Sequence, residues 1–340
     1  MGKDVGYPTQ VDFCVIYVFF CEEVELKVDV VYLWVSDTDA FLKKKSEFVP
    51  NQNIDSHHAA RYRDHEELKY SLRSVMANLP WVNHIYIVTD EQSPTFLNTA
   101  HPKVTLVNHT DVFQNTLYPN YSSSAIEWNI VNIPGLSEQF IYLNDDVFIG
   151  KPVTKNYFFD KTGRPIWALK RSSGQSNFKA HTNPTMGAHR NTYTKIMPYM
   201  KSKIGWKPDH SPMPMLRSDL LELISEFEPF VNKTKSNRFR HPENFVMSRA
   251  YPYYFLATNR LGIHKLPRFL YLNEHSIKVA ALKSRSKSIK KADKAFNAIA
   301  KQMAASFNLN DNEMSSADLT EGWMKRIDEI FPNPCELENT

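Results

Sequence analysis

The chain alternates between short, dense runs of β-branched and aromatic residues and longer stretches whose apolar residues recur every three or four positions. Val28 to Val35 (VDVVYLWV) is the first dense run, and His84 to Asp90 (HIYIVTD) is the second. Val104 to Val107 and Phe140 to Asn144 (FIYLN) follow. Runs of this length and composition predict buried strands over 28–35, 84–89, 104–107 and 140–144. Between the first two, Asp64 to Leu79 (DHEELKYSLRSVMANL) puts Leu68, Leu72, Val75, Met76 and Leu79 on one face. That spacing predicts a helix, with Asp64 as its cap and Glu66 and Glu67 favouring the positive end of its dipole. A second helix is predicted from Ser122-Ser123-Ser124 towards Asn132, and its leading N–H groups form a natural phosphate site. Strand, helix, strand, strand, helix, strand is an α/β order. It predicts a mixed, largely parallel, Rossmann-like sheet flanked by helices, with residues 26 to about 338 in one domain.

Beyond residue 150 the pattern loosens. Pro165 to Leu169 reads as a strand, and Asn191 to Lys201, Met215 to Glu228 and Ala317 to Ile330 read as helices. Another helix is predicted to open at Phe239-Arg240-His241-Pro242-Glu243-Asn244 and to continue through Tyr254. At the start, Val11 to Cys21 (VDFCVIYVFFC) is hydrophobic, yet it is too short to span a bilayer and is broken by Asp12. Residues 1–25 therefore read as an edge strand, a loose terminus or a truncated signal anchor.

Composition narrows the class. With 340 residues, 42% of them hydrophobic, the chain can bury a substantial core. A net charge of +4 is small for this length. Lys278 to Lys294 (KVAALKSRSKSIKKADK) is basic but has no interleaved aromatics, so it reads as a solvated helical face and nucleic acid is not expected as a partner. Cys14, Cys21 and Cys335 make an odd set without a CxxC spacing, which indicates neither a disulfide framework nor a zinc site.

Candidate chemistry sits where strands end. The fourth run stops at Asn144-Asp145-Asp146 and resumes at once as Val147-Phe148-Ile149. In open α/β sheets ligands bind at the carboxyl ends of the strands. Two adjacent carboxylates repel, and a divalent cation, Mg²⁺ or Mn²⁺, is the simplest counter-charge. Such a cation points to a phosphate-bearing substrate. The dipeptide by itself equally allows a polar turn. The first run likewise ends in Ser36-Asp37-Thr38-Asp39. His210 lies in the loop Asp209-His210-Ser211-Pro212, where a neutral imidazole suits a general base and where a surface histidine is just as ordinary. Arg240 and Arg73 are the candidate phosphate-gripping arginines.

Taken in order, four blocks resemble the conserved regions of the stealth family. VDVVYLWV with Asp39 resembles the first. RDHEELKYSLRSV, HIYIVTD, SSSAIE and FIYLNDDVFIGKPV resemble the second. DHSPMP followed by FRHPEN resembles the third, and FNLNDN with FPNPCELE the fourth. The resemblance covers about residues 26 to 338. It implies a single catalytic domain with a GT-A-like sheet, and a hexose-1-phosphate transferase. In that reaction a glycan hydroxyl attacks the β-phosphorus of a nucleotide-diphospho-sugar, typically UDP-GlcNAc, and UMP leaves. The resemblance implies metal ligation by Asp145 and Asp146, with Asp146, His210 and Arg240 catalytic. It also implies donor or acceptor contacts from Asp39, Arg73, Glu127, Asn144, Glu243, Asn310 and Asp311. Asp29, Asp64 and Glu67 match family positions too, and Asp29, which starts its strand, has a structural alternative.

Two departures stand out. The family has a glycine in the turn after the first Trp-Val, and this chain has Ser36-Asp37-Thr38-Asp39. The family includes an animal GlcNAc-1-phosphotransferase that tags lysosomal proteins; its long insertion between the second and third regions is absent here, so a compact glycan-modifying enzyme is expected instead. The competing readings are a metal-dependent glycosyltransferase acting at the anomeric carbon, and an inactive glycan- or nucleotide-binding homologue. The Asn108, Asn120 and Asn232 sequons are compatible with a Golgi lumen. A microbial homologue would sit in the cytoplasm or in association with a membrane face.

Overall fold

The computed structural model describes residues 26–49, 64–171, 183–200, 206–208, 210–265, 270–273, 299–302, 304–310 and 317–339. Its strands are β1 (Val28–Leu33), β2 (Ile85–Thr89), β3 (Val104–Asn108), β4 (Gln139–Asn144), β5 (Val147–Ile149), β6 (Ile166–Arg171), β7 (Trp206–Pro208), β8 (Met213–Leu216), β9 (Gly262–Lys265), β10 (Leu270–Asn273) and β11 (Ser306–Asn310). The helices are α1 (Asp39–Ser46), α2 (Glu67–Asn78), α3 (His109–Val112), α4 (Ser123–Glu127), α5 (Pro184–Ile196), α6 (Arg217–Glu226), α7 (Glu228–Lys235), α8 (Met247–Ala257) and α9 (Ala317–Ile330). Residues 1–25, the basic stretch 278–294, Asp209 and Asp311 lie outside the described residues.

The main sheet runs β3-β2-β1-β4-β8, with the first four strands parallel and β8 antiparallel at one edge. It is the mixed, largely parallel sheet flanked by helices that the hydrophobic runs predict. β1 and β4 are central and almost wholly buried, which is why they read as continuous apolar runs rather than alternating ones. Asp29 is the exception inside β1. Its carboxylate is fully buried and accepts from Asn83 Nδ2 and Ser137 N, both at 2.7 Å, so it fastens two loops at the amino end of the sheet.

One face of the sheet packs on α2 through Leu68, Leu72, Val75 and Leu79, together with Val30, Tyr32, Ile141 and Leu143. The other face carries a larger aromatic core that includes Trp128, Trp167, Phe245, Tyr251 and Phe255. Two smaller sheets, β10-β11-β5 and β7-β6-β9, flank the main one.

Several boundaries differ from the sequence reading. Met215 and Leu216 close β8 instead of opening a helix, and α6 starts at Arg217. Edge strand β8 tolerates Pro214, whose carbonyl accepts from Trp167 Nε1 at 2.6 Å. Asp64 does not cap α2. Glu66 is the cap residue, in a left-handed conformation with φ 63°, while Asp64 accepts from Glu66 N and from Trp34 Nε1. The predicted helix of the serine block shrinks to α4, with only five residues. Its cap residue Ser122 is fully buried and accepts from Asn244 Nδ2 at 3.2 Å, so its side chain is committed within the fold. No helix of the described residues is long and apolar enough to cross a membrane.

Candidate active site

Because β1 and β4 are parallel with Leu33 beside Asn144, the Asp37–Asp39 turn and the Asp145-Asp146 turn leave the same edge of the sheet. Asp39 begins α1 and is exposed, and Thr38 caps that helix by accepting from Phe41 N. The Asp145-Asp146 turn does more than reverse the chain. It carries the backbone from β4 in the main sheet into β5 in a second sheet. Two other segments close on it.

The first comes with β8. Its antiparallel register pairs Tyr142 with Met213 and Ile141 with Pro214. Continued past the last pair, that register sets the loop before β8 against the turn. His210 arrives there with its Nδ1 3.8 Å from Asp146 Oδ2. The second comes with β11, where Phe307 pairs with Phe148 and Asn308 with Val147. Asn308 Nδ2 donates to Asp146 Oδ2 at 3.0 Å, and Leu309 N donates to the Asp146 carbonyl at 3.0 Å. Asn310 ends β11, so continuing the register places its backbone level with Asp145.

The turn is strongly acidic. Asp145 is held well above the usual carboxylate range by burial first and by the charge of Asp146 second, with Asp64 adding to it. Burial raises Asp146, and the Asn308 amide opposes the shift. Glu67, in the first turn of α2, is raised by burial and by Asp145. Asp64 is raised by burial, with Asp37 contributing. Asp145 thus stands at the centre of the repulsion, facing Asp146, Asp64 and Glu67. Among the described residues no three His, Cys, Asp or Glu side chains converge as a ready metal cage. A pair of carboxylates completed by substrate phosphate is the way Mg²⁺ is usually held, and Asp146 Oδ1 is buried without a hydrogen-bond partner among the described residues. The donor set therefore fits a hard divalent cation.

A second group lies on the other side of Asn144. Tyr142 OH donates to Asn144 Oδ1 at 3.0 Å and lies 3.4 Å from Glu127 Oε1. Burial pushes the Glu127 carboxyl up to about 7, and the positive charge of Arg240 is the largest influence against it, ahead of the Tyr142 bond and Arg249. Arg240 comes from the loop between α7 and α8. That loop is fastened to the α4 region by Tyr121 N to the Arg238 carbonyl at 2.8 Å, by Arg238 Nη1 to the Pro119 carbonyl, and by Phe239 stacked on Tyr121 at 5.3 Å.

The tertiary structure thus brings Asp145, Asp146, His210, Asn144, Glu127, Arg240 and β11 to one edge. Two expected contacts fall elsewhere. Arg73 is 7% exposed and fully committed, with Nε and Nη2 on the two Glu338 oxygens at 2.7 and 2.8 Å and Nη1 on the Phe331 carbonyl. It is a fastener for the C-terminal segment, not a phosphate-gripping group. Glu243 is 65% exposed, on the outside of its loop, 3.9 Å from His241. Asn308 and Tyr142 join the edge without having been singled out as site residues. For Asn308 the signal is an amide set between Phe307 and Leu309.

Carboxylates, a histidine and an arginine thus gather at the carboxyl end of a largely parallel sheet, where open α/β folds bind their ligands. The chain belongs to the stealth family: residues 61–166 match Stealth protein conserved region 2. An exopolysaccharide phosphotransferase of Streptomyces coelicolor is 36% identical over 256 residues, which are 74% of this chain and 44% of that one. The capsular polysaccharide phosphotransferase fcs1 of Haemophilus influenzae is 34% identical, over 63% of this chain and 61% of its own. This chain therefore spans roughly half the length of these relatives. Among solved structures, the galactosyltransferase LgtC aligns over 88% of this chain and 95% of its own, with 12% identity and a TM-score of 0.40.

Proposed function

We propose that this chain is the catalytic domain of a hexose-1-phosphate transferase, with UDP-GlcNAc as the leading donor and a glycan hydroxyl as acceptor. The observation that carries the reading is His210 beside Asp146, next to Asp145, at the carboxyl edge of the sheet. The names of the polysaccharide phosphotransferases it resembles support it.

In this reading the acceptor oxygen forms a bond to the β-phosphorus as the bond from that phosphorus to the bridging oxygen breaks. UMP leaves with the bridging oxygen. His210 takes the hydroxyl proton. Its Nδ1 lies 3.8 Å from Asp146 Oδ2, so the nearby carboxylate stabilises the imidazolium that forms. Arg240 balances charge on the transferred phosphoryl group. Glu127 and Tyr142 hold the adjacent polar wall, and Asn144 and Asp39 complete the donor and acceptor contacts. Mg²⁺ or Mn²⁺, held by Asp145 and Asp146, would supply charge neutralisation on the diphosphate.

The test is incubation with a panel of nucleotide-sugars and sugar acceptors, with the released nucleotide resolved by chromatography. UMP is expected. UDP would sink phosphotransfer in favour of transfer at the anomeric carbon. His210→Ala is expected to lower kcat by about 10²–10⁴-fold, the usual contribution of a general base, with donor binding little changed. Turnover near the wild-type rate would remove His210 from this role.

A further inference from the structure

Asn308 sits in β11 between Phe307 and Leu309, which pack in an apolar cluster with Phe148, Ile299 and Ile327. It is fully buried. A carboxamide in such a place is costly unless its groups are bonded. Nδ2 is bonded, to Asp146 Oδ2 at 3.0 Å, whereas Oδ1 accepts nothing among the described residues. An apolar side chain of similar size would avoid that cost, so packing alone does not account for the amide.

The surrounding backbone is built to keep it there. Leu309 N holds the Asp146 carbonyl at 3.0 Å, and Gly150 N donates to the Ala305 carbonyl at 3.0 Å. A Cβ on Gly150 would stand 2.5 Å from the Ala304 carbonyl oxygen, so β11 approaches β5 at a separation that requires glycine. Asp146 is thus gripped twice by a strand that arrives 162 residues later.

We infer that Asn308 is a positioning residue for the transfer reaction. Its amide fixes the Asp146 carboxylate so that Oδ2 is committed to Asn308 and to the His210 side, while the unpartnered Oδ1 is the oxygen presented to a divalent cation. The inference rests on the phosphotransferase reading above. Without the amide, the carboxylate rotates about its terminal torsion, which has broad minima. Rotation moves negative charge away from the imidazole and changes the oxygen offered to the cation. Both functions of Asp146 therefore depend on one neutral side chain.

The test compares the wild-type chain with Asn308→Leu, of similar volume but without a donor, and Asn308→Ala, which only removes atoms. Mn²⁺ affinity is read by electron paramagnetic resonance of the free ion, kcat and KM with UDP-GlcNAc at saturating Mn²⁺, and Tm by calorimetry. Groups that orient a metal-ligating side chain typically change metal affinity or activity by about 10–100-fold when lost. Both variants are expected to bind Mn²⁺ more weakly by that factor and to lose kcat, with a smaller change in KM. A lowered Tm with wild-type Mn²⁺ affinity and wild-type kcat overturns the inference and makes Asn308 a packing residue. Should Asn308→Leu not fold, Asn308→Ala decides. Release of UDP by the wild type would remove the phosphotransferase reading, and the Mn²⁺ affinities would still decide the role of Asn308. A wild-type chain that binds no Mn²⁺ overturns the inference directly.

Discussion

At the residue scale, the acidic edge sets stability against function. A carboxyl whose pKa in the folded chain lies above its unfolded value binds its proton more tightly in the fold. Its favourable contribution is full below the unfolded value and is lost as pH rises through the folded one. Asp64, Glu67, Asp145 and Asp146 are all shifted upward, and Glu127 is raised to about 7. The Tm of the metal-free chain is therefore expected to fall between pH 5 and pH 8. Mn²⁺ should raise Tm more at pH 8 than at pH 5, because only the ionised carboxylates hold it. Asp145→Asn removes one repelling charge. It should raise Tm in metal-free buffer at pH 8 while abolishing most transfer. Calorimetry across this range checks both parts, and a flat Tm profile would contradict them.

At the element scale, α2 serves two faces. Its apolar stripe was legible as Leu68, Leu72, Val75 and Leu79. The polar residues beside it, Ser71, Ser74 and Asn78, are buried as well, and they share a face by their spacing of three and four. Ser71 Oγ donates to the Val147 carbonyl, Ser74 Oγ accepts from Ile149 N at 2.9 Å, and Asn78 Nδ2 donates to the Ile149 carbonyl at 2.8 Å. These side chains satisfy the backbone of β5 on the side away from β11, and so hold the strand that follows the Asp145-Asp146 turn. Ser74→Ala leaves Ile149 N buried without its acceptor and is expected to cost about 1–3 kcal/mol in denaturant unfolding. Asn78→Leu should behave similarly through the Ile149 carbonyl. A change under about 0.5 kcal/mol in both would show that β5 is held by packing and by its pairing with β11, not by α2 side chains.

At the scale of the whole molecule, the C-terminal segment straps across the side of the sheet away from the aromatic core. Leu337 is fully buried, Asn98 N donates to its carbonyl at 2.8 Å, and Glu338 receives the Arg73 fork. Arg73→Ala leaves a buried carboxylate unpaired, and breaking such a pair costs about 3–5 kcal/mol. The variant should lose stability by about that amount, yet keep the wild-type KM for UDP-GlcNAc in its folded fraction. A selective rise in KM with unchanged stability would return Arg73 to the donor site. The strands of the main sheet, the amphipathic stripe of α2 and the acidic character of both strand ends were legible in the chain, because burial on both faces and helical periodicity are local patterns. Residues 213–216 and 306–310 were not legible as strands. Each is short, one contains Pro214 and the other alternates amides with apolar residues, and each becomes a strand only by pairing with β4 or β5. The sequence alone determined which side chains could do the chemistry, since Asp145, Asp146, His210 and Arg240 are distinctive by type and setting. Only the tertiary structure decided which of them meet, because antiparallel pairing sets registers between segments far apart in the chain. Those registers bring His210 and Asn308 to Asp146, and they leave Arg73 to the C-terminal strap.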